Sequence, residues 1–466
     1  NGQTVSIPFL NGGLFEEEQE PNGHRNIQFR KDLFESLFNF FNGYNFTIYE
    51  NSPEEHTVAV DPEMLGHIFE NLIDYNKDTG TFYTPKEIVQ YMTQESLIEY
   101  LNTHKENERK EIENLVKNQS RPSFSDKELE KIENLLDAVK ICDPAVGSGA
   151  FPMGMLQEIF NLKALIAYEL KKEWNPAEVK QEIIQSSIYG VDLDEGAVEI
   201  ARLRFWLSLV VDEGKPKPLP NLSYKILVGN SIVDKFEQLA IEIDWSLDST
   251  KKGLFAQDII EEKISLLKEI STKQKEYFFS TGKTKHEIHQ QISDLKLEIL
   301  SKELQIMITS KGTEYKSLTR NSKKQNELFE QTLRWKAVLE KINILKNNKE
   351  SDFFHFDWCL DFPEVLNPIL VDESKRGFDI VIGNPPYIEF KNLDKKIKAE
   401  IENKEIGKYV TLKGKYDIYI AFYELAYRLI KKNALLTYIT PTRFLNRDYG
   451  RELRNFLRQN MKFIDI

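Results

Sequence analysis

A buried strand that runs into a proline-rich turn constrains the fold of this chain more than any other feature. Residues 380–382, Ile-Val-Ile, form an uninterrupted β-branched run, which is typical of a parallel strand covered on both faces. Gly383 ends the run, and Pro385 and Pro386 keep the following backbone extended and without N–H donors. Asn384 is thereby predicted at the carboxyl end of a strand, where open α/β sheets bind ligands.

The turn after Gly383 presents acceptors and a flat ring. The Asn384 carboxamide oxygen and the proline carbonyls have no obvious partner within the turn, so an exocyclic amino group would suit them. Tyr387 adds an aromatic face on which a base could stack. An ordinary strand-to-loop turn would also explain this stretch alone, and the upstream motifs favour the functional interpretation.

A second strand and turn lie upstream. Residues 138–142 predict a short strand, which runs into the Gly-rich turn Asp143–Gly149 and then into a helix through Met153. The two glycines of the turn let the backbone approach a ligand closely, as in nucleotide sites. Pro152 leaves the dinucleotide fingerprint incomplete, and the turn lacks a Walker lysine, which disfavours an NTPase.

Two further strands end in polar residues. The strand over 188–191 ends at Asp192, whose carboxylate can accept hydrogen bonds from both hydroxyls of a ribose. A helix from Ala197 to Val211 completes a βαβ unit, and residues 224–228 predict a third strand. Asn230 follows that strand and offers both a donor and an acceptor to an adenine edge.

A helix start precedes this α/β region. Thr84 is placed to cap the following helix, with Pro85 in the first turn and Glu87 at the third position, which predicts a capping box. The N–H groups of such a helix start also suit a carboxylate ligand.

Residues 236–350 break the α/β alternation. Three apolar stripes at helical spacing, with charged residues between them, predict a long helical hairpin or coiled coil. Residues 251–350 carry 20 Lys and Arg against 14 Asp and Glu, in a chain whose net charge is −12. Such a basic segment fits an arm that faces DNA, and it also fits a solvated helical pair.

Composition places the chain among globular proteins. Its 466 residues are 41% hydrophobic and 29% charged, and no apolar run approaches the roughly 20 residues of a membrane span. The two cysteines, Cys142 and Cys359, favour a reducing cytoplasm over a disulfide framework or a zinc site. An initial Asn and a strand-like ending at Phe463–Ile466 lead us to expect a fragment of a longer protein.

Five short motifs occur in an order that resembles a known enzyme family. They are F-Y-T-P at 82–85, D-P-A-V-G-S-G at 143–149, G-V-D-L-D at 190–194, G-N-S at 229–231 and G-N-P-P-Y at 383–387. Together they resemble class I S-adenosylmethionine-dependent DNA N6-adenine methyltransferases. More narrowly, they resemble the methylase part of the large, type IIG-like restriction-modification proteins. Each motif alone is weak or moderate, whereas five in order are specific.

The resemblance implies a fold and a division of the chain. The expected fold is α/β, a Rossmann-like class I methyltransferase sheet with a helical N-terminal region and a long inserted helical hairpin or coiled coil. Residues 1–60 would be a lead-in region and 61–137 a helical region that carries F-Y-T-P. Residues 138–235 would form the cofactor-binding half of the core, and 236–352 the helical insertion. Residues 353–466 would form the second half with N-P-P-Y, truncated at its C-terminus.

The resemblance also implies a site for S-adenosylmethionine. Tyr83, Thr84 and Pro85 would contact its methionine carboxylate end. Asp192 would hold the ribose hydroxyls, and Asn230 would meet the adenine amino group at a position where the family often has Asp. The turn at 143–149 would wrap the amino-acid part, through Asp143, Pro144, Ala145, Gly147 and Gly149.

The catalytic residues implied by the resemblance are Asn384, Pro385, Pro386 and Tyr387. Asn384 and the Pro385 carbonyl would accept hydrogen bonds from the amino group of a target adenine, and Tyr387 would stack on the base after it leaves the duplex. The reaction would rest on positioning and electrostatics, without a metal or a general-base histidine. Double-stranded DNA is the expected partner and the cytoplasm the expected location, with no membrane involved.

Some alternatives stay open. In the family a second stacking aromatic and a target-recognition domain would follow Phe463, so we expect this chain to bind DNA weakly or without sequence choice. Target recognition could instead lie within 236–350. The same acceptors suit transfer to a glutamine amide of a protein or to an RNA base, and a non-catalytic cofactor-binding scaffold in a defence complex is a further alternative. Two further questions stay open: whether a nuclease region precedes residue 1, and which oligomeric state the protein adopts.

Overall fold

The chain divides into two compact units. A computed structural model describes residues 30–41, 45–46, 59–60, 84–104, 109–120, 124–210, 220–233, 235–236, 243, 245, 256–317, 323–347, 355–393, 395–402 and 409–464. The first unit comprises 1–228, 378–394 and 410–466, and the second comprises 229–377 and 395–409. The domain boundaries expected from the sequence stay a prediction.

The described residues of the two units form the following strands and helices, numbered in chain order. The strands are β1 Asn45–Phe46, β2 Ala59–Val60, β3 Ile141–Asp143, β4 Ile188–Asp192, β5 Ile226–Val228, β6 Lys235–Phe236, β7 His355–Phe356, β8 Phe378–Gly383 and β9 Ile430–Tyr438. The helices are α1 Lys31–Phe41, α2 Lys86–His104, α3 Arg109–Asn118, α4 Asp126–Ala138, α5 Ala150–Glu169, α6 Pro176–Ser187, α7 Glu195–Val210, α8 Ala256–Phe279, α9 Gly282–Ser317, α10 Lys323–Asn347, α11 Trp358–Asp361, α12 Pro363–Leu366, α13 Lys395–Glu402, α14 Tyr419–Leu429, α15 Arg443–Asn446 and α16 Arg451–Asn460.

A five-stranded parallel sheet forms the centre of the first unit. Its strands lie in the order β5-β4-β3-β8-β9, and each adjacent pair is parallel. This confirms the predicted Rossmann-like α/β fold. The chain runs outward from β3 through β4 to β5 and then returns to β8 on the other side of β3. Such a switch point opens a crevice at the carboxyl ends of the two strands, where ligands of open α/β sheets bind.

The central strands are fully buried, as their apolar sequences predict. All residues of β3 and of β8 are buried. Two boundaries differ from the prediction. Strand β3 begins at Ile141 because α4 continues to Ala138, and β5 begins at Ile226 after a turn.

Helix α2 belongs to the core of the first unit. It packs against β8, β9 and α5. The Ser96 hydroxyl donates a hydrogen bond to Thr437 Oγ1 on β9 at 3.0 Å. Gly154 of α5 leaves room for Val89 and Thr93 of α2, since a methyl group there would lie 2.7 Å from Val89. Helix α2 is therefore anchored directly on the sheet.

Glu158 makes the stability of this packing depend on pH. It lies on α5, is 7% exposed and accepts a hydrogen bond from Gln94 Nε2 of α2 at 3.2 Å. Burial raises the pKa of its carboxyl from 4.5 to about 7. Because the folded state holds the proton more tightly, the contribution to stability is fully present below about pH 4.5 and is lost as the pH rises through about 7.

We expect Glu158→Gln to raise the melting temperature at pH 8 by roughly 2–4 °C, because the neutral amide needs no desolvation of a charge. At pH 5 the difference should be much smaller, because the Glu158 carboxyl is protonated in the folded state there. Thermal unfolding at both pH values checks this, with the exposed Glu173→Gln as the matched control. An equal shift at pH 5 and pH 8 would contradict the role of the Glu158 charge.

Three long helices dominate the second unit. Helix α9 packs against both α8 and α10. A buried ion pair between Lys263 and Glu303, at 2.8 Å, joins α8 to α9. The predicted helical insertion is confirmed, and its described residues contain three long helices where the sequence predicted a helical hairpin or coiled coil. Strands β6 and β7 of this unit pair in antiparallel fashion.

Two further findings concern residues 461–464 and the apolar character of the helices. No strand forms over residues 461–464, so the strand predicted to open at Phe463 does not begin within the residues that the structure describes. Among those same described residues, no helix combines the length and apolar character required to cross a bilayer.

Candidate active site

The carboxyl ends of β3 and β8 touch each other. A methyl group placed at Gly383 would lie 2.6 Å from Asp143 Oδ1, so only glycine leaves space for this carboxylate. The Asp143 side chain is buried, and burial raises the pKa of its carboxyl well above the usual value. The two motifs predicted at these strand ends are therefore in direct contact.

The turn after β3 is closed by its own backbone and by glycine. Asp143 Oδ1 accepts a hydrogen bond from the Ala145 N–H at 3.0 Å. Gly147 and Gly149 have φ of +51° and +86°, in the left-handed region that favours glycine. A methyl group at Gly149 would also lie 3.0 Å from the Cβ of Ala201 on α7. Pro144 is buried within this turn.

Asp192 connects the end of β4 to that turn. Its Oδ2 accepts the Gly147 N–H at 2.8 Å, and its Oδ1 accepts the Asp194 N–H at 2.9 Å. Burial raises the pKa of the Asp192 carboxyl, while these backbone donors lower it. An ionised carboxylate has about four lone-pair sites, so the two oxygens can still accept from a ligand. The adjacent Leu193 is 65% exposed, which offers apolar surface beside the acid.

Asn384 follows β8 and is held at both ends of its carboxamide. Its Nδ2 donates a hydrogen bond to Thr84 Oγ1 at 3.1 Å, and its Oδ1 accepts one from the Tyr387 hydroxyl. Thr84 was predicted to form a capping box, and this prediction is wrong. Helix α2 begins at Lys86, and the carbonyl of Pro85 accepts its first N–H groups, while the Thr84 hydroxyl meets Asn384.

Tyr387 is fixed by its hydroxyl and by a neighbouring ring. The hydroxyl also donates to the Ile439 carbonyl at 2.8 Å, just beyond β9. The Tyr419 ring meets the Tyr387 ring edge-on, with centroids 6.2 Å apart. Burial raises the pKa of the Tyr387 hydroxyl to about 12, so it stays a donor at neutral pH. The side chain is partly exposed, as a stacking platform requires.

The other predicted residues fall into three groups. Pro385 is buried and Pro386 partly exposed in an extended segment after β8. Tyr83 lies outside the described residues. Asn230 follows β5 by two residues and belongs to the second unit. Its Oδ1 accepts the N–H groups of residues 232 and 233, at 3.1 and 3.2 Å, so Nδ2 is the atom of this side chain outside that turn.

The first unit thus brings most of the predicted residues together. Thr84, Asp143, Gly383, Asn384 and Tyr387 form one contact network at the switch point, and Asp192 joins it through the turn after β3.

Sequence reasoning missed three features of this network. Only the structure shows the hydrogen bond to the Ile439 carbonyl, the exposure of Leu193 and the hydrogen bond between Asn384 and the Thr84 hydroxyl. The position of Leu193, directly after Asp192 at the end of β4, was the one signal in the sequence that could have indicated its exposure beside the site.

Two family models match the chain. The Eco57I restriction-modification methylase model matches residues 186–466, which is more than half of the chain. The model of the MmeI DNA-methyltransferase domain matches residues 113–218. These matches cover the sheet of the first unit and the residues of the network from Asp143 to the end of β9.

Several restriction-modification proteins are similar to the chain. RM.MjaORFECS2P of Methanocaldococcus jannaschii, provisionally named a type II restriction enzyme and methyltransferase, is 28% identical over 94% of this chain and 38% of its own length. The Escherichia coli type II restriction enzyme and methyltransferase RM.Eco57I is 33% identical over 20% of this chain and 9% of its own. The type II methyltransferase M.BstVI of Geobacillus stearothermophilus is 33% identical over 18% and 14%. The chain therefore spans well under half the length of these relatives.

Proposed function

Because the chain belongs to the Eco57I restriction-modification methylase family, we propose that it transfers a methyl group from S-adenosylmethionine to the N6 amino group of an adenine in duplex DNA. The proposal includes a place in a restriction-modification or related defence system. The observation that carries it is the Asn384 carboxamide, held by two hydrogen bonds at the switch point beside the Gly-rich turn.

The residues around β3 and β4 fit the cofactor. The positive φ at Gly147 and Gly149 forms a turn that a ligand can approach closely. Asp192 supplies the carboxylate oxygens for two ribose hydroxyls, and the exposed Leu193 supplies apolar surface for a flat ring. When bound, S-adenosylmethionine supplies an electrophilic methyl group on a positively charged sulfur.

The segment after β8 fits a planar amino group. Asn384 Oδ1 and the Pro385 carbonyl accept its two hydrogens, which draws the nitrogen towards tetrahedral geometry and exposes its lone pair to the methyl group. With S-adenosylmethionine bound, the nitrogen would form a bond to the methyl carbon as the carbon–sulfur bond breaks, and it would lose a proton to solvent. Since the amino group of adenine lies inside a base pair, the base must leave the duplex, and Tyr387 offers it a stacking face.

Product analysis tests this proposal directly. The natural protein that contains this chain is incubated with unmethylated duplex DNA and S-adenosylmethionine labelled in its methyl group, and the DNA is digested to nucleosides. We expect the label in N6-methyl-2′-deoxyadenosine. Label on another base, on RNA or on protein glutamine would contradict the adenine assignment, and no transfer despite measured cofactor binding would support a non-catalytic scaffold.

A further inference from the structure

Asn384 can serve as an acceptor in only one of two orientations. Its Oδ1 accepts a hydrogen bond from an amino group, whereas Nδ2 is a donor. A half-turn of the amide would set one donor against another at the point of transfer. An acceptor bonded to Nδ2 therefore supports the productive orientation.

Thr84 binds that nitrogen. Its Oγ1 accepts the hydrogen bond from Asn384 Nδ2 at 3.1 Å, and the Thr84 side chain is 6% exposed. Thr84 lies two residues before the start of α2, in which the N–H groups of Ile88 and Val89 donate to the Pro85 carbonyl. Because α2 packs on β8 and β9, the hydroxyl has a fixed position relative to the strand that presents Asn384.

The contact with Tyr387 differs in kind. The Tyr387 hydroxyl donates to Asn384 Oδ1, the same oxygen that a target amino group needs. It also donates to the Ile439 carbonyl at 2.8 Å, so one proton serves two acceptors. Tyr387 can therefore release Asn384 and keep a hydrogen bond. The Thr84 contact involves the other end of the amide, does not compete with the substrate and can persist during transfer.

We infer that Thr84 is a positioning residue for the transfer step, which turns the Asn384 carboxamide so that Oδ1 faces the target amino group. This inference rests on the proposed function, since it takes Asn384 as the acceptor. Thr84 would then both contact the cofactor, as proposed, and orient the Asn384 carboxamide. This arrangement also makes the orientation of the catalytic amide depend on the helix start that precedes α2.

Three threonine variants test the inference in single-turnover methyl transfer with saturating S-adenosylmethionine. Thr84→Val removes the hydroxyl at constant volume and should lower the rate about tenfold, the loss typical of one buried hydrogen bond. The dissociation constant for S-adenosylmethionine is measured separately and reports on the proposed cofactor contact of Thr84, while the saturated rate reports on the orientation of Asn384. Thr84→Ser keeps the hydroxyl and should restore most of the rate. Thr93→Val is the matched control, because Thr93 is a buried threonine of α2 whose hydroxyl bonds only to backbone carbonyls of its own helix among the described contacts.

The double variant Thr84→Val with Asn384→Ala tests whether Thr84 acts by orienting the Asn384 carboxamide. If Thr84 acts through Asn384, Thr84→Val should cause no further loss once Asn384 is alanine. A weakened cofactor affinity with an unchanged saturated rate would overturn the inference and leave Thr84 as a cofactor contact only. An equal loss in Thr93→Val would overturn it as well, because the effect would then be one of packing. A wild-type protein that transfers no methyl group to DNA would overturn the proposed function itself, and the inference with it.

Discussion

Asn384→Ala is expected to lower the single-turnover rate of methyl transfer by about 100-fold or more, the usual cost of removing one fixed polar group at a reacting centre. The substitution removes the acceptor that polarises the target amino group. It leaves the backbone after β8 intact, and Tyr387 keeps its hydrogen bond to the Ile439 carbonyl. The affinity for S-adenosylmethionine, measured by calorimetry, should therefore change little.

Two variants accompany this measurement. Asn384→Asp keeps acceptor oxygens but cannot donate to Thr84, so its rate should lie between those of wild type and alanine. Asn118→Ala removes an exposed carboxamide at the end of α3 and should have no effect. Wild-type rates in Asn384→Ala would exclude Asn384 as the acceptor, and an equal loss of cofactor affinity would place it in the cofactor site instead.

The sheet was predictable because the signals that specify it are local. The β-branched run at 380–382 indicated a strand buried on both faces, and β8 is buried throughout. Glycine and acid at the strand ends indicated which loops would meet a ligand. Since parallel strands align their carboxyl ends at one edge of a sheet, correct strand assignments place Gly383 and Asp143 at the same edge, and the pairing of β3 with β8 brings them into contact.

The Thr84 hydrogen bond was not predictable from the same signals. Thr84 and Asn384 are 300 residues apart, and a threonine before a proline and a helix is ordinarily a cap. In the structure the Thr84 hydroxyl accepts the hydrogen bond from Asn384 instead of the one from the helix backbone that helix capping would predict. The start of β3 was predicted too early because α4 continues to Ala138, and no residue in the sequence marks the end of that helix.

Tyr387 illustrates the limit for an aromatic residue. The sequence indicated a flat ring after two prolines, and stacking uses the face of such a ring. The hydroxyl lies at the edge, and its two acceptors belong to Asn384 and to the carbonyl beyond β9. Only the order of strands in the sheet brings that carbonyl beside β8, so the anchoring of the ring depends on topology and not on the motif.

Asp192→Ala is expected to weaken the binding of S-adenosylmethionine on the order of 100-fold, as for two charge-assisted hydrogen bonds of roughly 1.5 kcal/mol each. The carboxylate is proposed to hold the ribose hydroxyls, and it also holds the Gly147 N–H at 2.8 Å. The variant therefore removes ligand contacts and unties the turn from β4. Calorimetric titration of the purified chain with S-adenosylmethionine measures this, without any need for DNA.

The control and the pH profile distinguish the ligand role of Asp192 from a purely structural one. Asp194→Asn makes the same change of charge two residues away, and since Asn caps a helix as well as Asp does, the N-cap bond to Ala197 is kept and affinity should not change. Because burial raises the pKa of Asp192, wild-type affinity should fall on acidification at a higher pH than an ordinary aspartate would give. In Asp192→Asn that dependence should vanish. If the profile persists in Asp192→Asn, another group titrates at the site and the ribose assignment fails.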